Sequence, residues 1–160
     1  MTNRGFNAAS VPTLVLLSTM AAACTGATSQ ASLVVGDQGV RVTIRRVAIH
    51  PFLAEYKRWL VVEQNTRPPA EMEMEVDTGG GQHVKVYPVG PGLLFLRDCF
   101  GAYQVDLGGR ITGLGVAPTP TDALFIGAFD RDATGFLGAW RFIPAAERPE
   151  QPILGDTASQ

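Results

Sequence analysis

The 160-residue chain has two cysteines, two histidines and almost no serine in its interior, and each shortage removes a class of chemistry. The serines are Ser10, Ser18, Ser29, Ser32 and Ser159, none of them where a rigid scaffold could aim a hydroxyl at a histidine, which excludes a serine nucleophile. His50 and His83 with Cys24 and Cys99 form no close ligand cluster, so a zinc site would need His83 beside Glu71, Glu73 and Glu75. Alternate carboxylates on one strand stand about 6.6–7 Å apart, too far to converge on one ion, and a solvated acidic face is the simpler account. There is no basic surplus either. Against 13 Lys and Arg stand 15 Asp and Glu, a balance without the electrostatic footprint of a nucleic-acid binder. Two further absences concern fold. No apolar run reaches the roughly 20 residues of a membrane-spanning helix, and from Leu33 onward no segment longer than about ten residues keeps a 3.6-residue apolar period.

What is present begins with Val11 to Ala23, an apolar run of the length of a signal-peptide core. Arg4 is the only charge before it, and Met20-Ala21-Ala22-Ala23-Cys24 ends it. On these residues the N-terminus resembles bacterial lipoprotein signal peptides, whose lipobox places a Leu-like residue and two small residues before the lipidated cysteine. It departs from them at Ala21, where Leu is usual. The resemblance covers residues 1–24 alone. It implies a signal peptide over 1–23 and a mature chain anchored to the membrane through a diacylglyceryl and palmitoyl type of lipid on Cys24. Because Thr25 rather than Asp follows, it also implies the outer membrane, facing the periplasm. Residues 24–31 are small and polar and read as a flexible tether.

Residues 32–143 read as one all-β domain, a small antiparallel β-sandwich or partly open barrel of about eight to ten short strands. Val40, Val42 and Ile44 alternate with polar residues, which would point Arg46 inward, and a β-bulge at Arg45-Arg46 would return Val47 and Ile49 to the apolar face. Pro51 to Glu55 could hold one helical turn, Trp59 to Glu63 is a strand, and Asn65 to Pro69 reads as a loop. Glu71 to Val76 and His83 to Tyr87, joined by Gly79-Gly80-Gly81, read as a hairpin with Met72, Met74, Val84 and Val86 inside. Glu73, Glu75 and Lys85 would then form its outer face. Leu93 to Leu96, apolar at every position, is expected to be central and covered on both sides. Strands follow at Tyr103 to Leu107, Arg110 to Val116, Leu124 to Phe129 and Phe136 to Ile143, and 144–160 reads as a Pro-rich disordered tail.

Candidate binding residues are Asp98, Phe100 and Tyr103, in a stretch where a charge pair and two aromatics surround Cys99 and Gly101, together with Glu73, Glu75 and His83; the simpler account of that stretch is a tight strand-to-strand corner with Phe100 and Tyr103 in the core. Cys99 reads as a packed thiol; a reactive pair with His50 or His83 is the sharper and weaker alternative. Asp130 to Gly135 imitates the first half of a calcium loop, but Arg141 stands where a bidentate Glu is required, and a turn is the better reading. No catalytic residue, metal or cofactor is assigned. The function expected is an envelope lipoprotein with a binding or structural domain for an unidentified ligand, not an enzyme. Alternatives are a periplasmic immunity or inhibitor protein, with a toxin or hydrolase as its protein partner, and an envelope enzyme using His83 with acidic neighbours.

Overall fold

The computed structural model describes residues 26–37, 39–50, 52–79, 83–132 and 138–153. The signal segment, Cys24, Thr25, Pro51, the 133–135 part of the calcium-like loop and 154–160 lie outside the described residues. Ten strands follow one another: β1 (Thr28–Val35), β2 (Val40–Ala48), β3 (Tyr56–Gln64), β4 (Arg67–Asp77), β5 (Val84–Gly90), β6 (Leu93–Arg97), β7 (Ala102–Asp106), β8 (Arg110–Gly115), β9 (Gly127–Arg131) and β10 (Trp140–Pro144). They build two antiparallel sheets, β1-β2-β3-β4 and β10-β9-β5-β6-β7-β8. The sheets pack as a sandwich and do not close into a barrel. Inward residues of both, among them Ile44, Leu60, Val62, Val84, Leu96 and Phe129, form one core. Four of the turns, around Gly36, Thr66, Gly92 and Gly108, gather at one end, which we call the far end. The start of β1, the β2–β3 loop and the β6–β7 turn lie at the other, the near end.

Alternation placed most strands, and the exceptions are instructive. β2 carries no bulge: its register with β1 and β3 is unbroken through Arg45 and Arg46, so Arg46 stays inside, 4% exposed. β4 does carry bulges, one of them where Met74 and Asp77 face Arg58 and Tyr56, three steps against two. The extra residue turns Asp77 inward, where it is buried. Met72 and Met74 do pack toward the core while Glu71, Glu73 and Glu75 stay exposed. The expected hairpin does not form. β4 pairs with β3, whereas β5 lies in the other sheet between β6 and β9. The reason is burial: β5 is covered on both faces, and only a central position in a sheet covered on both sides allows that. Asp77 Oδ1 accepts the Gly79 N–H at 3.0 Å, and Gly79 takes φ +101°, so the chain leaves β4 toward the second sheet.

β6 is central, as its unbroken apolar run requires. Leu94 and Leu96 face the main core, and Phe95 joins Tyr87 and Ala102 under Ala117, Ala123 and Phe125 on the opposite face. Smaller corrections concern boundaries. β1 starts at Thr28, so 28–31 is strand and not tether, and β9 starts at Gly127 rather than Leu124. Only Asn65 and Thr66 form the β3–β4 turn, Pro68 and Pro69 being tolerated because β4 is an edge strand. Phe52 and Leu53 lie in a bend and not a helical turn. The segment after β10, expected to be disordered, is described as far as Ile153. It turns at 145–147 and covers the outer face of β5, burying Ile153 to 2% exposure.

Candidate functional site

Three of the candidate residues, Asp98, Phe100 and Tyr103, converge at the near end on Arg58, a residue that pattern reading passed over. Arg58 points inward from β3 because the register that puts Leu60 and Val62 in the core puts Arg58 there too. Its Nη1 donates to Asp98 Oδ2, and both side chains are buried. Nε and Nη2 donate to the Glu75 carbonyl at 3.0 and 2.7 Å, and the guanidinium lies 5.3 Å from the Phe100 ring centroid. Asp98 Oδ1 accepts from Phe100 and Gly101 N–H groups, both at 2.8 Å, which folds the β6–β7 turn around the carboxylate. Tyr103 Oη accepts the Glu75 N–H at 2.9 Å. Two of these contacts, Arg58 with Asp98 and Tyr103 Oη with the Glu75 N–H, cross from one sheet to the other, and the rest hold the two partners in place within their own sheet or turn. The arrangement therefore locks the sandwich and offers a ligand no open position.

A second arginine adjoins it. Arg46 is the Cα partner of Arg58; its guanidinium lies 3.7 Å from the Trp140 ring centroid and 4.4 Å from that of Tyr56, while Nε donates to Ser29 Oγ at 3.2 Å. Burial pulls its pKa down to about 10, against the opposing pull of Tyr56. Burial raises the Asp77 carboxyl, the Gly79 N–H and the two arginines only partly offsetting it. Two cations side by side inside a sandwich are tolerated because each has its own partners, aromatic faces for Arg46 and a carboxylate for Arg58.

Cys99 sits on the same turn as a half-buried free thiol. Burial raises its pKa first, and the Asp98 and Asp77 charges add to the rise. A thiolate is the reactive form, so native Cys99 should label with a maleimide far more slowly than the urea-unfolded chain. Equal rates in the two states would mean that the turn is open.

The other candidates are dispersed. Glu73 is the Cα partner of Trp59 on the outer face of the first sheet, and Glu75 contributes backbone to the lock while its side chain is exposed. His83 stands before β5 in a small enclosed space with Phe125, Asp130, Arg148 and Gln151. Its Nε2 is buried without a partner, and burial lowers the pKa of the ring although Asp130 pulls the other way. Asp130 is committed to Arg148, at 2.5 Å, and neither Cys99 nor Glu71, Glu73 or Glu75 lines this space. Lys85, expected on an outer face, is buried at 4% exposure and donates to Glu150 Oε1 at 2.7 Å, as does Tyr87 Oη at 2.6 Å. Among the described residues no group of three or more His, Cys, Asp and Glu could hold a metal ion.

An open concavity that sequence reading missed lies at the far end. A cleft of about 520 Å³ is lined by Val35, Asp37, Val40, Gln64, Arg67 and Leu107 among others, drawn from turns of both sheets. Gln64 donates to the Leu107 carbonyl and Arg67 to that of Gly108 at 2.9 Å, so side chains of the first sheet tie down the β7–β8 turn beside it. No single turn signals such a cleft in the sequence, because its walls come from four separate turns. Family models, curated proteins and solved structures were all compared with the chain, and none matches it.

Proposed function

We propose that the protein is an envelope lipoprotein, held in the outer membrane by lipid on Cys24 and facing the periplasm, whose β-sandwich binds a ligand and does not transform it. The observation that carries the reading is the polarity of the domain. The chain enters β1 at the near end, with Thr28 paired to Val47, while the cleft opens among the turns at the far end. A lipid at residue 24 therefore leaves the cleft turned toward the periplasm, where loops on a rigid sheet can receive a ligand. Binding is favoured over catalysis because Asp37 has no second acid, histidine or cysteine beside it among the described lining residues, while Asp98, Asp130 and Glu150 are held by Arg58, by Arg148 and by Lys85 with Tyr87. The cleft combines Asp37, Arg67 and Gln64 with apolar Val35, Val40 and Leu107, and suits a small molecule or side chain with both polar and apolar parts.

The first step to test is the anchor. Each buried CH₂ of an acyl chain adds about 0.8 kcal/mol to membrane attachment, so two or three chains hold the protein firmly. Cells fed an alkyne-labelled palmitate analogue should label the intact protein, and Cys24→Ala should abolish both the label and recovery in the outer-membrane fraction. Absence of the label from the intact protein, or a label that persists in the Cys24→Ala protein, refutes the lipid anchor.

A further inference from the structure

We infer that the near end of the sandwich rests on the lipid surface itself, with Phe52 and Leu53 of the β2–β3 loop entering the bilayer. The inference rests on the lipid attachment proposed above for its orientation. Cys24 is two residues before Gly26, and a chain spans at most about 3.6 Å per residue, so the lipidated sulfur is held within roughly 10 Å of the Gly26 backbone. Gly26 lies against Ala48, and the Ala27 carbonyl accepts the Ala48 N–H at 3.1 Å. The anchor point therefore adjoins the residue that opens the β2–β3 loop, which leaves no length for the domain to stand away from the membrane.

That loop is the most exposed apolar feature of this end. Phe52 is 89% exposed, and Ile49 and Leu53 are each about half exposed. Val116, 86% exposed, leaves the second sheet at the same end, since Gly115 is the Cα partner of Ala102 beside the β6–β7 turn. The apolar tip is also held in shape. His50 Nδ1 accepts the N–H groups of both Phe52 and Leu53 at 3.1 Å, and the Ile49 N–H donates to the Glu55 carbonyl at 3.0 Å, closing the base. With the Phe52 and Leu53 N–H groups satisfied inside the loop, these two residues can enter the interfacial region without stranding their donors. An aromatic held outward on a fixed loop beside an acyl anchor fits the headgroup and upper acyl region, about 5–10 Å deep. Seating there also accounts for the position of the cleft, at the end pointed away from the lipid.

The test uses the full lipidated protein reconstituted in vesicles of phosphatidylcholine brominated near the top of its acyl chains. Phe52→Trp, at an exposed position, adds a reporter to Trp59 and Trp140, whose signal is measured in the unsubstituted protein. The added Phe52→Trp emission should be shifted to the blue and mostly lost to bromine quenching, while that of Thr66→Trp at the far end should be untouched. Equal, negligible quenching at both positions, in protein that still floats with the vesicles, overturns the seating and leaves the lipid anchor standing; the exposed tip would then await a protein. Quenching at Phe52→Trp that persists in Cys24→Ala protein supports entry of the loop independently of the anchor.

Discussion

Arg58→Ala should lower the stability of the domain by about 3–5 kcal/mol, because it leaves the Asp98 carboxylate buried without its cation. Both side chains of this pair are all but inaccessible, and the same guanidinium also holds the Glu75 carbonyl and lies near Phe100. Removal therefore strands an anion, frees a β4 carbonyl and opens a space at one end of the core. Asp98→Ala should cost a similar amount, since it strands the cation and releases the Phe100 and Gly101 N–H groups. The double variant Arg58→Met, Asp98→Leu should recover part of the loss, since no buried charge is left unpaired, the remainder reflecting the freed Glu75 carbonyl and the Phe100 and Gly101 N–H groups. Urea unfolding of the four proteins decides the matter. A single substitution costing less than about 1 kcal/mol, the scale of an exposed ion pair, would show that water reaches the pair.

The second large effect is expected in a segment that composition marks as disordered. Ile153 is fully buried, and burying such a side chain is worth about 1.5–3 kcal/mol. Ile153→Asp should undock residues 145–153, lower the urea stability by roughly that amount, and make the segment a preferred site of proteolysis. An unchanged midpoint and unchanged cleavage would mean that the segment adds nothing. The docking should also depend on pH. Burial alone would raise the Glu150 carboxyl, but hydrogen bonds from Lys85 and Tyr87 and the Lys85 charge outweigh it and hold the pKa below the ordinary value. A carboxyl lowered in the folded state contributes stability above its unfolded pKa and loses it as the pH falls through its folded value. Proteolysis of the segment should accordingly increase on acidification, and Glu150→Gln should flatten that dependence. The readout must be local, because Asp77, raised by burial, moves global stability the opposite way over the same acid range.

The candidate site divides along the same line as the fold. Asp98, Phe100 and Tyr103 were legible as an unusual group, since a charge and aromatics around a glycine stand out within one short stretch. That the stretch is a tight corner with Tyr103 in the core was legible too, but the lock it forms was not. It depends on Arg58, 40 residues earlier in the chain, and on a β4 carbonyl that no side-chain pattern reports. The far-end cleft left no trace in any one stretch, and the closeness of the β2–β3 loop to Gly26 is a matter of where β1 begins in space.

By itself the sequence determined that the chain is all-β, which strands alternate and that Leu93 to Leu96 is central, because a two-residue period and an unbroken apolar run are local properties of a strand. Only the tertiary structure decided that β4 and β5, neighbours in the chain, belong to different sheets. Only it decided that Arg46, Arg58 and Lys85 are inside. A charge is buried where partners meet it, and those partners come from strands and segments far away in sequence, as Trp140 does for Arg46 and Glu150 for Lys85. Local pattern sends an arginine or a lysine to water by default, since an unpaired cation inside would cost more than the domain's whole stability. The pairing that removes this cost exists only once the two sheets have closed on each other.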